Sequence, residues 1–172
     1  MATVPPVREL EFLKLVPNHL ELGRKLDELQ LSAPALASYA AHVGIAWFRL
    51  GETHLLEAEA MLRLPNINRS IYSRAYYAAY NASKGVRYIH AGWVSLKGDD
   101  HKKVGELPGD FPGVPQWSQS IAKLYENRLR ADYENWVATE GEFSQMPADA
   151  VKAAHDFIAV AKAYLVSKSI QV

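Results

Sequence analysis

Between Asn68 and His90 the apolar residues return at the helical interval. Ile71, Ala75, Ala78, Ala79, Ala82, Val86 and Ile89 share one face at about 100° per residue. The alanines on that face let a second helix approach closely, which points to a helix-on-helix core. A long helix is predicted upstream, after Ser32-Ala33-Pro34, with Ser32 as its cap and Pro34 in its first turn. Its stripe is Leu36, Ala40, Val43, Trp47, Leu50, His54, Ala58 and Met61, and Pro65 stops it after Leu64. Asn66 and Asn68 form a polar break before the next helix. A third helix is predicted from about Pro115 to Trp136, and the polar stretch Thr139–Gln145 leads to a fourth. That one starts at Pro147 and carries Val151, Ala154, Ile158, Ala161 and Leu165. Neither an internal repeat nor an alternating strand pattern is present. The expectation is an all-α, four-to-five-helix up-and-down bundle over residues 35–172, with an N-terminal helical arm over 1–34.

Two segments depart from the periodicity. In the arm, Pro5-Pro6 precede Val7–Leu31, where Leu10, Leu13, Leu20 and Leu26 stand among charges and Pro17 interrupts; short helices or an extended arm are expected. Residues 91–115 are broken by glycines and prolines, and only Asp99–Leu107 reads as a short helix there. A loop this long in a compact domain is commonly functional or mobile.

Composition narrows the function classes. The 172 residues fit one domain able to bury a core, and 19 basic residues balance 19 acidic ones. A neutral chain lacks the broad positive field of a non-specific nucleic-acid binder, so any such binding uses a local patch. The absence of cysteine excludes disulfides, thiolate metal sites and cysteine nucleophiles, and fits a cytoplasmic location. The N-terminal residues lack a secretory pattern. The most apolar stretch, Ala33–Phe48, is interrupted by Ser38, Tyr39, His42 and Gly44, so it reads as a core helix and no membrane contact is expected.

The candidate chemistry lies on the second and third helices. Ile121, Arg128 and Asp132 fall in one narrow sector, flanked by Trp117, Leu124, Tyr125, Leu129 and Trp136, which puts an arginine and an aspartate in the middle of an apolar stripe. They are either a buried structural ion pair or part of a site. The acid follows the base, the less favourable order at this spacing, so the pair is expected to engage another helix or another chain. Arg130 points away and reads as a solvated surface arginine. Arg74, Tyr77 and Asn81 line one shoulder of the second helix. Tyr76, Tyr80, Arg69 and Arg87 occupy another side, as boundary tyrosines and snorkelling arginines. The histidines are scattered, and no Glu-x-x-His pair, Walker loop or zinc-protease motif occurs, so neither a metal nor a cofactor is expected. Asp99-Asp100-His101 reads as an exposed acidic turn rather than a metal site.

Taken in order, Ser70-Ile71-Tyr72-Ser73-Arg74-Ala75-Tyr76-Tyr77-Ala78-Ala79-Tyr80, the turn His101-Lys102-Lys103-Val104, and Arg128-x-x-Ala131-Asp132-Tyr133 resemble the HEPN superfamily. This is a helical domain of prokaryotic toxin and defence proteins, often found beside a minimal nucleotidyltransferase. The resemblance spans about Leu36 to Leu165. It implies a homodimer that binds a nucleotide, an RNA segment or a partner such as a nucleotidyltransferase or other defence-system protein. Ribonuclease members of the family carry an arginine followed, after four to six residues, by a histidine. Here Arg128 is followed at those positions by Tyr133, Glu134 and Asn135, and Arg130 by Asn135, Trp136 and Val137. The histidine is missing, so no catalytic residue is assigned.

Three functions follow. The first is a binding module using Arg74, Tyr77, Asn81, His101, Arg128, Asp132 and Tyr133. The second is a metal-independent ribonuclease toxin in which His101 takes the missing role. The third is a structural subunit of a larger complex that docks through the arm.

Overall fold

In a computed structural model of the chain, the described residues are 12–14, 16–28, 34–92, 94–95, 98–135 and 142–172. They form α1 (His19–Glu28), α2 (Pro34–Met61), α3 (Asn68–Ala91), a 3-10 turn (Gly98–Lys103), α4 (Val114–Tyr133) and α5 (Pro147–Ser167). These helices pack against one another, and no strand occurs among the described residues, so the protein is an all-α bundle. The prolines at 5 and 6, the Ser32 cap, Trp136 and residues 139–141 of the 139–145 link lie outside the described residues. No helix among the described residues is long and apolar enough to cross a membrane.

α3 is the central element and packs on α2, α4 and α5. Its predicted face is buried from Ile71 to Val86, with Ile89 at the margin. The α2–α3 crossing is closest where neither helix has bulk. A Cβ added at Gly51 would lie 2.7 Å from the Ala78 carbonyl oxygen, and one at Gly85 would lie 2.5 Å from the Gly44 carbonyl oxygen. Of the predicted α2 stripe, Ala40, Val43 and Ala58 are buried and Leu36, Trp47 and Met61 pack on the core, but the side that meets α3 most closely is offset from it. Gly44, Phe48, Gly51, Leu55 and Ala58, at alternating four- and three-residue steps, face α3, whereas Leu50 is 43% exposed. The glycines draw the backbones together, so the helix turns this side, rather than its bulkiest side, to its neighbour. All five predicted core residues of α5 are buried.

α1 packs beside α2 and α3. The His19 ring sits edge-on to Tyr88, with Nε2 2.7 Å from the Tyr88 carbonyl oxygen, and the His19 backbone N–H donates to the Gly92 carbonyl at 2.9 Å. Gly92 ends α3 in the left-handed region (φ 81°), and a Cβ there would strike Leu20 at 2.5 Å.

The 104–111 part of the 91–115 segment is anchored to the core. Val104, Leu107 and Phe111 are buried, Ser83 Oγ donates to the Val104 carbonyl, and Ser118 Oγ donates to the Gly105 carbonyl at 2.7 Å. The short helix predicted over 99–107 is confined to the 3-10 turn. The α4–α5 connection is held similarly. Asn127 Oδ1, fully buried, accepts the Ser144 N–H at 2.9 Å, and Tyr72 Oη donates to the Gln145 carbonyl at 2.7 Å. Arg130 Nη1 donates to the Glu142 carbonyl, so this arginine fastens the connection instead of standing free in solvent.

Candidate functional site

Ser73, Tyr76, Tyr77, Tyr80, Lys84 and Arg87 recur at three- and four-residue steps and so share one side of α3. Arg128 and Asp132 of α4 meet one end of this ladder, and Asp100 and His101 of the 3-10 turn meet the rest.

At the first end Arg128 holds the centre. Its Nε lies 2.7 Å from Asp132 Oδ2, an ion pair in which the N–H is not aimed well enough to form a hydrogen bond. Nη2 donates to Tyr77 Oη at 2.9 Å and to Tyr133 Oη at 3.3 Å. The guanidinium also lies over both rings, 5.4 and 5.0 Å from their centroids. Asp132 accepts a hydrogen bond from Ser73 Oγ. On the far side of Tyr77, Arg74 Nε lies 3.2 Å from Glu57 Oε2, and Arg74 Nη1 lies 3.1 Å from His54 Nδ1. Arg69 caps the end of α4, donating to the Ala131 and Glu134 carbonyls at 2.9 and 2.6 Å. Between Arg69, Arg74 and Asp132 runs a groove of about 520 Å³ that Met61, Ser73 and Tyr77 also line, and the Arg128 contacts to Tyr77 and Asp132 lie at its edge.

The middle of the ladder is aromatic. His101 stacks on Tyr80, with centroids 4.5 Å apart and planes at 20°, and its Nδ1 lies 2.7 Å from Tyr76 Oη. The Tyr77 and Tyr125 rings stand 6.2 Å away. Burial lowers the pKa of His101 below its usual 6.5; the Arg128 and Lys84 charges act the same way, and Asp100 opposes them. Burial also pushes the Tyr76 and Tyr80 phenols well up, so both keep their protons.

At the second end Asp100, 1% exposed, receives both terminal nitrogens of Arg87 at 3.2 and 3.0 Å. The Ser95 N–H approaches it at 3.3 Å, and Lys84 Nζ, lying over the Trp47 ring, approaches at 4.0 Å. Burial raises the Asp100 carboxyl, but the bonds and charge of Arg87 outweigh it and leave the pKa below the ordinary value.

The structure therefore brings Arg74, Tyr77, Arg128, Asp132 and Tyr133 to one place, and His101 joins them across Tyr77. Asn81 stands apart: it is buried, and its Nδ2 donates to the Tyr77 carbonyl of its own helix. Four expectations need correction. Arg128 and Asp132 sit at the edge of the α4 stripe, not in its middle; the buried residues are Trp117, Ile121, Leu124, Asn127 and Ala131, and Asp132 is exposed. The two residues pair with each other despite the unfavourable order, and the expected engagement of another helix is met as well, through Ser73 and Tyr77 of α3. Tyr76 and Arg87 are buried rather than boundary residues, because His101 and Asp100 supply their polar partners. Asp100 is accordingly no exposed turn residue.

Ser73, His54 and Glu57 were not among the expected site residues. The Ser73–Tyr77 and His54–Glu57 spacings were the signals available for them. No group of residues among those described could hold a metal ion.

Fold and site together define a helical-bundle protein with an arginine- and tyrosine-lined groove between two of its helices. No family model, curated protein or solved structure matches the chain.

Proposed function

We propose that the chain is a HEPN-like helical domain that binds a phosphate-bearing ligand, a nucleotide or an RNA segment, in the groove between α3 and α4. The observation that carries this reading is the pairing of two partly committed arginines with an exposed aromatic ring. Arg74 Nη2 and Arg128 Nη1 take no partner among the described residues, and Tyr133 is 68% exposed beside Arg128. Guanidinium groups suit phosphate oxygens, and an exposed tyrosine offers a face for a base to stack on. The order of motifs supports a HEPN-like assignment, and with it a cytoplasmic homodimer in a prokaryotic toxin–antitoxin or defence system.

Calorimetry with AMP and with a single-stranded RNA hexamer tests the reading. Binding that weakens about tenfold in both Arg74→Ala and Arg128→Ala agrees with the loss of one charge-assisted bond. No binding, or binding that neither substitution weakens, refutes it.

One observation favours a second reading, a metal-independent ribonuclease: His101 and Arg128 flank the same Tyr77 ring. Under that reading RNA is cleaved in EDTA, and the cleavage disappears in His101→Ala. Intact RNA removes it.

A further inference from the structure

Tyr76 is wholly buried, and its hydroxyl has a single hydrogen-bonding partner among the described residues, His101 Nδ1 at 2.7 Å. Rings surround the rest of it: Tyr77, Tyr80 and Tyr125 have centroids 5.3 to 5.8 Å from its own. A buried hydroxyl that donates to nothing incurs its full desolvation cost, so the Tyr76 proton belongs on the line to Nδ1. Nδ1 is then the acceptor. A neutral imidazole has one N–H, and it must be at Nε2. Nε2 makes no hydrogen bond with a described residue, and the ring is only half-buried. The 3-10 turn cannot easily swing the ring away, because the neighbouring Asp100 is tied to Arg87 by two hydrogen bonds.

We infer that Tyr76 is a positioning residue that locks His101 in its Nε2–H form, making His101 a hydrogen-bond donor to a ligand oxygen beside Arg128 rather than a base. The ligand half of this inference rests on the proposed reading of the groove, and the tautomer half does not. A donor at this point complements phosphate oxygen. It also counts against Nε2 as the proton acceptor of a ribonuclease, since that nitrogen has no lone pair to offer.

The two halves are tested separately. Nitrogen-15 spectra of the histidine rings at pH 8 report the tautomer directly in the full chain. The wild-type protein should show His101 as the Nε2–H form, and Tyr76→Phe should show a mixture of both forms. An Nδ1–H form in the wild type, or an unchanged Nε2–H population in Tyr76→Phe, overturns the lock; should Tyr76→Phe fail to fold, the wild-type spectrum still decides. For the ligand half, AMP affinity is compared in two variants. His101→Gln keeps a donor near the Nε2 position and should bind within about threefold of wild type. His101→Asn places its donor near the Nδ1 position and should bind about tenfold more weakly. Equal binding by both variants overturns the donor role and leaves the lock standing. Absence of AMP binding to the wild type overturns the donor role together with the groove reading.

Discussion

Replacing Asp100 by Asn removes one charge from the second end of the ladder while keeping the side-chain shape. Arg87 is 4% exposed and Asp100 1%, and two hydrogen bonds of 3.2 and 3.0 Å join them. Without the carboxylate the guanidinium stays buried and faces an amide that cannot accept both of its N–H groups. Breaking a buried pair in this way costs about 3–5 kcal/mol. For a domain of this size each kcal/mol moves the melting temperature by about 2–4 °C, so the transition should fall by about 6–20 °C. Far-UV circular dichroism during heating, with urea titrations for the free energy, measures both. The double variant Arg87→Met/Asp100→Leu removes both charges and should recover most of the loss, because two apolar side chains in a buried site leave nothing unpaired. The pair also has a pH signature. The Asp100 pKa is lowered in the folded chain, so its stabilisation is present above the ordinary carboxylate range and is lost as pH falls through the folded value. Asp100→Asn should therefore converge on wild-type stability in strong acid. A loss below about 1 kcal/mol near neutral pH would refute the reasoning, since that is the worth of a solvated surface pair.

Two other measurements probe the packing and the buried histidines. Gly85→Ala puts a Cβ 2.5 Å from the Gly44 carbonyl oxygen, whereas Gly23→Ala meets nothing closer than Leu36 at 3.9 Å. Overpacking at Gly85 should cost about 1–3 kcal/mol, more than the roughly 1 kcal/mol that alanine gains as a helix former. Gly23→Ala should be neutral or stabilising in urea titrations; a stabilised Gly85→Ala protein contradicts the close α2–α3 crossing. Burial lowers the pKa values of His19, His90 and His101, so the folded chain favours their neutral forms. Their contribution is complete above the unfolded pKa of about 6.5 and is lost as pH falls through the lowered values. The urea midpoint should drop between pH 8 and pH 5, and a flat profile over that range argues against burial of these rings.

α3 and α5 were readable in advance because each turns an uninterrupted apolar face to the core, and spacing alone locates such a face. α4 was not. Its buried residues centre about 60° from the sector of Ile121, Arg128 and Asp132, using 100° per residue. Leu124, Asn127 and Ala131 all lie to that side, and Asn127 lies farthest round, in the core where the Ser144 N–H meets it. A wheel that counts apolar residues cannot place an amide whose partner sits on a later connection. The same limit explains the site. In each of its deepest contacts one residue belongs to a periodic helix and the other to the aperiodic 98–103 turn: Arg87 with Asp100, and Tyr76 and Tyr80 with His101. The helix-borne half of each pair was visible as a spacing, but its burial depended on a turn whose approach leaves no periodic trace. Arg128 and Tyr133 were found because both lie on one helix. His101 could be named as a candidate but not placed, because its contact with Tyr76 Oη depends on how the 98–103 turn approaches α3.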